Sequence, residues 1–355
     1  MNILDRYIGR TVLGGTLLAL FVLLSLVTFI AFIDELGDLG EGVYGLWEIT
    51  QFILMTLPRR AYELIPTATL LGALLGLGTL ANNHELIAMR AAGISKARIV
   101  GSVLKAGFVV IILTFLLGEF AVPKMETKAQ ALRAKATADK LKGTEYGFFA
   151  RDGLTFINIR NVLSGGKLHD VYIYEVDEHH RMRVSTHAKS AYFDQNQETW
   201  VLENIEQSYL TEDRVKTKHL DNAQWGSLLD PNLIRFVVVE PESLSVHGLW
   251  SYSHYLENNG QDALRYRLAM WSKLTVPLDI LLLLILSIPF VLGSMRSVSI
   301  GQRILIGTLL GICFFLVDKA LNHIGLVYNL SPIVAVLSPI AMFSGLAVWL
   351  MRRTY

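Results

Sequence analysis

The side chains in this sequence with the most chemical potential are nine histidines, one cysteine and a few charged residues set in apolar surroundings. Seven of the histidines fall between Val122 and Lys273, among them His179-His180 and His187. A zinc centre needs three or four convergent ligands at defined spacing, and neither a cysteine pair nor an HExxH helix is present. Solvated turn histidines are the better reading. Cys313 stands alone, which excludes an internal disulfide and a thiolate metal cluster. Gly165-Gly166-Lys167-Leu168 resembles the end of a phosphate-binding loop, but Asn161 occupies its first glycine position and Leu168 its hydroxyl position. No nucleophile elbow is visible, so the sequence points to a non-catalytic protein without cofactor or metal. Any work it does must draw energy from elsewhere.

A different chemistry is offered by the segment from Asn82 to Gly93. It has the grammar of a short helix: Asn82 or Asn83 to cap it, Glu85 in the first turn where the dipole favours an anion, and Gly93 to end it. Leu86, Met89 and Arg90 share one face by their spacing. Two turns are not stable alone in water, so this helix must be held against lipid headgroups or a protein groove.

The elements around it follow from composition. Hydrophobic residues make up 52% of 355 residues and charged residues 18%, too apolar for a soluble chain of this size. Of the charges, 39 lie in the 152 residues from Val122 to Lys273, leaving 24 for the other 203. Thr11 to Ile33 is uncharged and long enough to cross ~30 Å of hydrocarbon. It reads as an uncleaved first span rather than a signal peptide, because Asp34-Glu35 follows it in place of a small-residue cleavage site. Further spans are expected within Phe52 to Ala81, Ile99 to Val122, Leu274 to Met295, Ile304 to Leu321 and Leu330 to Met351. Six spans put both termini on one side. Arg6, Arg10, Arg90, Lys96, Arg98, Arg296, Arg303, Arg352 and Arg353 all fall on that side, which the positive-inside rule makes cytoplasmic. The polar middle is then exported.

That middle opens with helix-forming residues from Met125 to Lys142. It continues as alternating runs such as Thr155 to Ile159 and Val171 to Val176, with further candidates at Ser190 to Phe193, Thr199 to Leu202, Gln207 to Leu210, Val215 to His219 and Phe236 to Val239. Turn residues separate them, as at Ser164-Gly165-Gly166 and Asp194-Gln195-Asn196-Gln197. Eight or so short strands indicate a sandwich or jelly roll. The expected division is 1–121 for three spans and the cytoplasmic helix, 122–273 for the β domain, and 274–355 for three more spans. An open sheet edge in such a domain is a candidate docking site, and a solvated domain without partner is the equal alternative.

Arg59 and Arg60 break the charge rule, standing at the non-cytoplasmic end of the second span. Lys319, beside Asp318, has a similar position in the fifth. Such cations can meet an anionic headgroup; the alternatives are snorkelling, or pairing of Arg59 with Glu63 and of Lys319 with Asp318.

Taken in order, several segments resemble the inner-membrane permeases of the lipopolysaccharide export ABC transporter, the LptF/LptG family. They are Leu4-Asp5-Arg6-Tyr7-Ile8-Gly9, Leu71 to Gly78, Glu85-Leu86 to Gly93, and Arg296-Ser297-Val298. The resemblance covers the whole chain. It implies a subunit that pairs with the similar permease LptF on a dimer of the ATPase LptB, with a membrane helix of LptC beside the first span. Lipopolysaccharide would be extracted from the bacterial inner membrane and passed through the jelly rolls to LptC and the bridge built of LptA. It also implies that Glu85 is the coupling carboxylate facing an arginine of the ATPase, with Leu86, Met89, Arg90 and Gly93 around it, and that Arg59 meets lipid A phosphate. Arg60 and Lys319 are the accompanying rim candidates, and Ile33, Leu64, Leu71 and Phe315 the expected apolar wall. Gly72, Gly76 and Gly78 fit close helix contact better than substrate contact. One departure is the loop after the first span, Asp34-Glu35-Leu36-Gly37-Asp38, which lacks the lysines some relatives carry.

Two other classes compete. A membrane receptor would need a cytoplasmic output domain, and the longest cytoplasmic piece is under twenty residues. A lipoprotein-releasing permease would carry its exported domain after the first span, whereas here it follows the third. Nucleic acid is disfavoured by a net charge of only +1.

Overall fold

The computed structural model describes residues 3–137, 148–162, 167–177, 179, 181–194, 199–211, 214–225, 240–292 and 300–354. The expected strand at Phe236 to Val239, the turns at 164–166 and 195–197, and Arg296-Ser297-Val298 lie outside these residues. In chain order the helices are α1 (Ile3–Glu35), α2 (Leu46–Asn82), α3 (Glu85–Ala91), α4 (Lys96–Leu116), α5 (Val122–Ala136), α6 (Val246–Asn258), α7 (Leu264–Leu292), α8 (Ile300–Val327) and α9 (Pro332–Thr354). Six strands lie between α5 and α6: β1 (Phe148–Asp152), β2 (Thr155–Val162), β3 (Leu168–Val176), β4 (Met182–Asp194), β5 (Thr199–Thr211) and β6 (Arg214–Trp225). Two compact units result, one of 1–31, 56–123 and 264–355, the other of 32–55 and 124–263.

The first unit is a helical bundle. Among the described residues six helical stretches are long and apolar enough to cross a membrane: Ile3–Asp38, Leu46–Asn82, Lys96–Arg133, Leu264–Val291, Leu305–Val327 and Pro332–Arg352. They match the expected six in number and order, and most of the helices run beyond the expected bounds. The fourth span begins at Leu264 rather than Leu274, because Arg265, Arg267 and Lys273 continue its helix. Lys273 is buried there; its Nζ donates to the Gly118 carbonyl at 3.3 Å and stands 5.4 Å from the centre of the Tyr62 ring. That carbonyl lies in a π-turn, Leu117–Ala121, which joins α4 to α5. The wider turn disrupts the normal ladder just before Pro123, where a missing N–H then costs little.

The bundle closes tightly where α1 crosses α2. A Cβ placed on Gly72 would stand 2.2 Å from Thr16 Cα, and one on Gly76 would stand 2.7 Å from the Thr11 carbonyl oxygen. Small residues of this kind let helix backbones approach in lipid, where packing rather than water exclusion drives association. Burial is uneven among the spans. The second and fourth are the most covered, while the first and fifth bury few of their apolar side chains and expose, among others, Phe21, Phe29, Leu309 and Leu316.

In the second unit the strands form one antiparallel sheet in the order β1-β2-β3-β4-β5-β6, each paired with its sequence neighbour and not closed into a barrel. The described strands are fewer and longer than the sequence suggested. Thr199 to Leu202 and Gln207 to Leu210 are two ends of β5, and Ser190 to Phe193 belongs to β4. The reason is a crease across the sheet. Ladder pairing skips Arg160, Asp170, Lys189, Asn204 and Asp221, one residue in each of five strands, and Asp170 and Asn204 both have φ of 53°. Alternation changes phase at this line. In β4 Val184, Thr186 and Ala188 face inward, then Ala191; in β5 Trp200 and Leu202, then Ile205. With period 2 a phase change looks like a strand end, although here it lets both halves of each strand feed one apolar cluster.

Candidate functional site

Helix α3 spans seven residues and is held by its own chain. Leu86 is 4% exposed and lies in the apolar cluster that contains Ile8, Val12, Ile99 and Val103, with Met89 and Ile94 packed against it. Its N-cap is His84, left-handed at φ 59°, and not an asparagine; Asn83 instead donates through Nδ2 to Glu85 Oε1 at 3.2 Å. Gly93, at φ +86°, ends it: the Gly93 amide donates to the Arg90 carbonyl and the Ile94 amide to that of Met89. These are the two bonds of a Schellman close. Of the residues grouped on one face by spacing, Leu86 and Met89 therefore turn inward, while Arg90 is exposed. The outward surface is made by Ile87, Ala88, Arg90 and Ala91, and Ile87 was not singled out by the sequence.

Glu85 is half-buried, and both of its oxygens accept hydrogen bonds. Besides Asn83, the Tyr7 hydroxyl on α1 donates to Oε2 at 2.6 Å. Two residues earlier on α1, Asp5 is 1% exposed and binds α4: it accepts from Ser102 Oγ and Lys105 Nζ, each at 2.7 Å, and pairs with Arg98 at 3.2 Å. The only sequence signal for either was their place in the Leu4 to Gly9 motif.

The cations of the expected rim are placed as follows. Arg59 Nε pairs with Glu63 Oε1 at 3.2 Å, one turn on, with both side chains partly exposed, and Arg60 is half-buried. Lys319 is exposed on α8, its Nζ 5.8 Å from the centre of the Phe315 ring, so two expected site residues are in contact. Asp318 accepts from Asn322 Nδ2 at 3.1 Å. Among the wall residues, Phe315 is 41% and Ile33 52% exposed, Leu64 is half-buried, and Leu71 is buried with Ala19 and Ala68 between α1 and α2.

The acidic loop after the first span also has a cation that local sequence did not reveal. Arg133, from α5, pairs with Glu35 at 2.6 Å and with Asp38, and its guanidinium lies 5.6 Å from the centre of the Phe52 ring. Burial and the neighbouring Glu35, to which it donates, push the Tyr44 hydroxyl well above its usual range. Among the described residues no three His, Cys, Asp or Glu side chains are placed to hold a metal.

Residues 6–353 match the family model described as lipopolysaccharide export system permease LptF/LptG. The chain belongs to the LptF/LptG permease family. It is 35% identical over 354 residues to the lipopolysaccharide export system permease protein LptG of Escherichia coli K12, covering 99% of this chain and 98% of that one. It is 33% identical to the protein of that name from Haemophilus influenzae, over 99% of both chains. Like other LptF/LptG members it is a permease subunit of a transporter.

Proposed function

We propose that this chain is the permease subunit of an ABC exporter that draws lipopolysaccharide, or lipooligosaccharide, from the bacterial inner membrane toward a periplasmic bridge. The observation that carries the reading is the family match over residues 6–353. In this proposal the termini and α3 are cytoplasmic and residues 122–273 are exported. The partner permease is LptF, the ATPase dimer LptB supplies the energy, and LptC and LptA receive the lipid. The sparse covering of the first and fifth spans supports the assembly, since apolar faces of that size invite a second helical subunit or acyl chains. Phe315 and Leu64 serve as wall residues for acyl chains, and Lys319, Arg59 and Arg60 as cations for phosphate. The Arg59–Glu63 pair supports a gated version of this role: an exposed i,i+4 pair contributes only ~0.3–0.5 kcal/mol, so a doubly charged phosphate can displace the carboxylate.

Glu85, Ile87 and Arg90 form the ATPase-facing surface, with Leu86, Met89 and Gly93 fixing the helix that presents them. Glu85→Lys is expected to separate the ATPase from the permease. Recovery of the ATPase at wild-type yield with that variant, and undiminished lipid release, would sink the coupling role. Alanine at both Arg59 and Arg60 should weaken photocrosslinking of lipopolysaccharide to the permease while leaving assembly intact; unchanged crosslinking would assign both arginines to pairing or snorkelling.

A further inference from the structure

The Leu4 to Gly9 segment carries two polar side chains to which the coupling surface assigns no task. Asp5 ties the first turn of α1 to α4 through Ser102, Lys105 and Arg98. Tyr7 lies two residues on, about 200° further round the helix, and so faces a different neighbour. That neighbour is α3, through the 2.6 Å hydrogen bond to Glu85.

The placement is unusual for a bond that only stabilises. Tyr7 is 46% exposed, and a hydrogen bond open to water contributes little to folding. Leu86 shares an apolar cluster with Ile8 and Val12, but apolar packing is non-directional and allows sliding. A short hydroxyl–carboxylate bond is directional and fixes the register of one element on the other. It also leaves Glu85 useful. With one donor on each oxygen, a carboxylate of about four acceptor sites can still take a guanidinium.

We infer that Tyr7 is a positioning residue for energy coupling: it fixes the Glu85 carboxylate to α1 and carries displacement of α3 directly into the first span. The chain connects α3 only to α2 and α4, and this bond adds a directional link to the first span. Asp5 provides the fixed point, because its three partners on α4 hold the end of α1 while Tyr7 is pulled. This inference rests on the reading of Glu85 as the ATPase-facing carboxylate.

The test uses the full transporter in proteoliposomes, recording ATPase recovered on the permease and lipopolysaccharide released per ATP hydrolysed. Tyr7→Phe keeps the ring and removes the hydroxyl. The expected result is normal ATPase recovery with release per ATP reduced roughly threefold to tenfold, the span of one net hydrogen bond. Glu85→Gln, read per assembled transporter, should reduce it too. An amide oxygen weakens the same bond, so the double variant should fall less than the product of the singles. Unchanged release per ATP in Tyr7→Phe overturns the inference. So does a strictly multiplicative double variant, which would put Tyr7 on another path, and so does loss of ATPase recovery in Tyr7→Phe, which would make the hydroxyl a structural tie. A silent Glu85→Gln instead removes the coupling reading itself, and is distinguishable from a silent Tyr7→Phe beside an impaired Glu85→Gln.

Discussion

Leu86 is 4% exposed, Glu85 beside it is half-buried with both oxygens engaged, and Ile87 is 38% exposed. Three consecutive residues thus face the core, the α1 boundary and the outside, as a 100° step per residue requires. Spacing alone gave the grouping of Leu86, Met89 and Arg90, but a seven-residue helix has no visible polar face in its sequence to say which side is inward. Asp5 was legible only as a motif letter, since its partners are up to a hundred residues away. With Asp5 buried and Lys105 and Arg98 roughly half-exposed, the cost of breaking the cluster depends on which partner is changed. Asp5→Asn leaves two solvated cations and one neutral amide, so thermal unfolding in detergent should show a loss of about 1.5–3 kcal/mol, the range of hydrogen bonds to charged groups. Lys105→Met should cost less, because Arg98 and Ser102 still satisfy the carboxylate.

At the scale of elements, the six spans were readable because a twenty-residue apolar run has almost no other use. Their crossings were not. Gly14, Gly15, Gly72 and Gly76 look alike in the sequence, yet a Cβ on Gly15 would stand 2.4 Å from the Gly72 carbonyl oxygen, whereas one on Gly14 meets nothing within 4 Å. Gly72→Ala is therefore expected to push α1 from α2 and cost about 1–3 kcal/mol, the usual penalty of overpacking, while Gly14→Ala is neutral or slightly stabilising. Equal unfolding temperatures for the two variants in the same detergent would contradict the close crossing. The sheet shows the opposite kind of failure. Alternation identified strand residues well but divided β5 into two, because the crease at Asn204 reverses phase without ending the ladder. Only pairing with β4 and β6 on both sides of Asn204 reveals one continuous strand.

For the molecule as a whole, the charge distribution that separates 39 charged residues in the middle from 24 elsewhere divides a polar insert from a membrane bundle. In the structure 32–55 forms one compact unit with 124–263, where Arg133 gathers Glu35 and Asp38. Orientation is testable with one native cysteine to remove. In a Cys313→Ser background, Lys216→Cys on β6 should react with a membrane-impermeant thiol reagent once the outer membrane is opened, and Ala88→Cys on α3 only after the inner membrane is permeabilised. Labelling in the reverse order would invert the topology and remove α3 from any cytoplasmic ATPase.

The sequence by itself determined the spans, the polar insert, the strand-forming residues and the short helix before Gly93, because these depend on hydrophobic run length, alternation and local backbone preference, all of which are properties of neighbouring residues; the family was legible only through the resemblance of its ordered motifs. The tertiary structure alone decided which face of α3 turns inward, that Arg133 serves the acidic loop, and that Asp5 and Tyr7 join α1 to α4 and α3. Those are contacts across tens of residues or more, and a hydrogen bond 2.6 Å long between Tyr7 and Glu85 leaves no trace in the order of the chain until folding brings the two together.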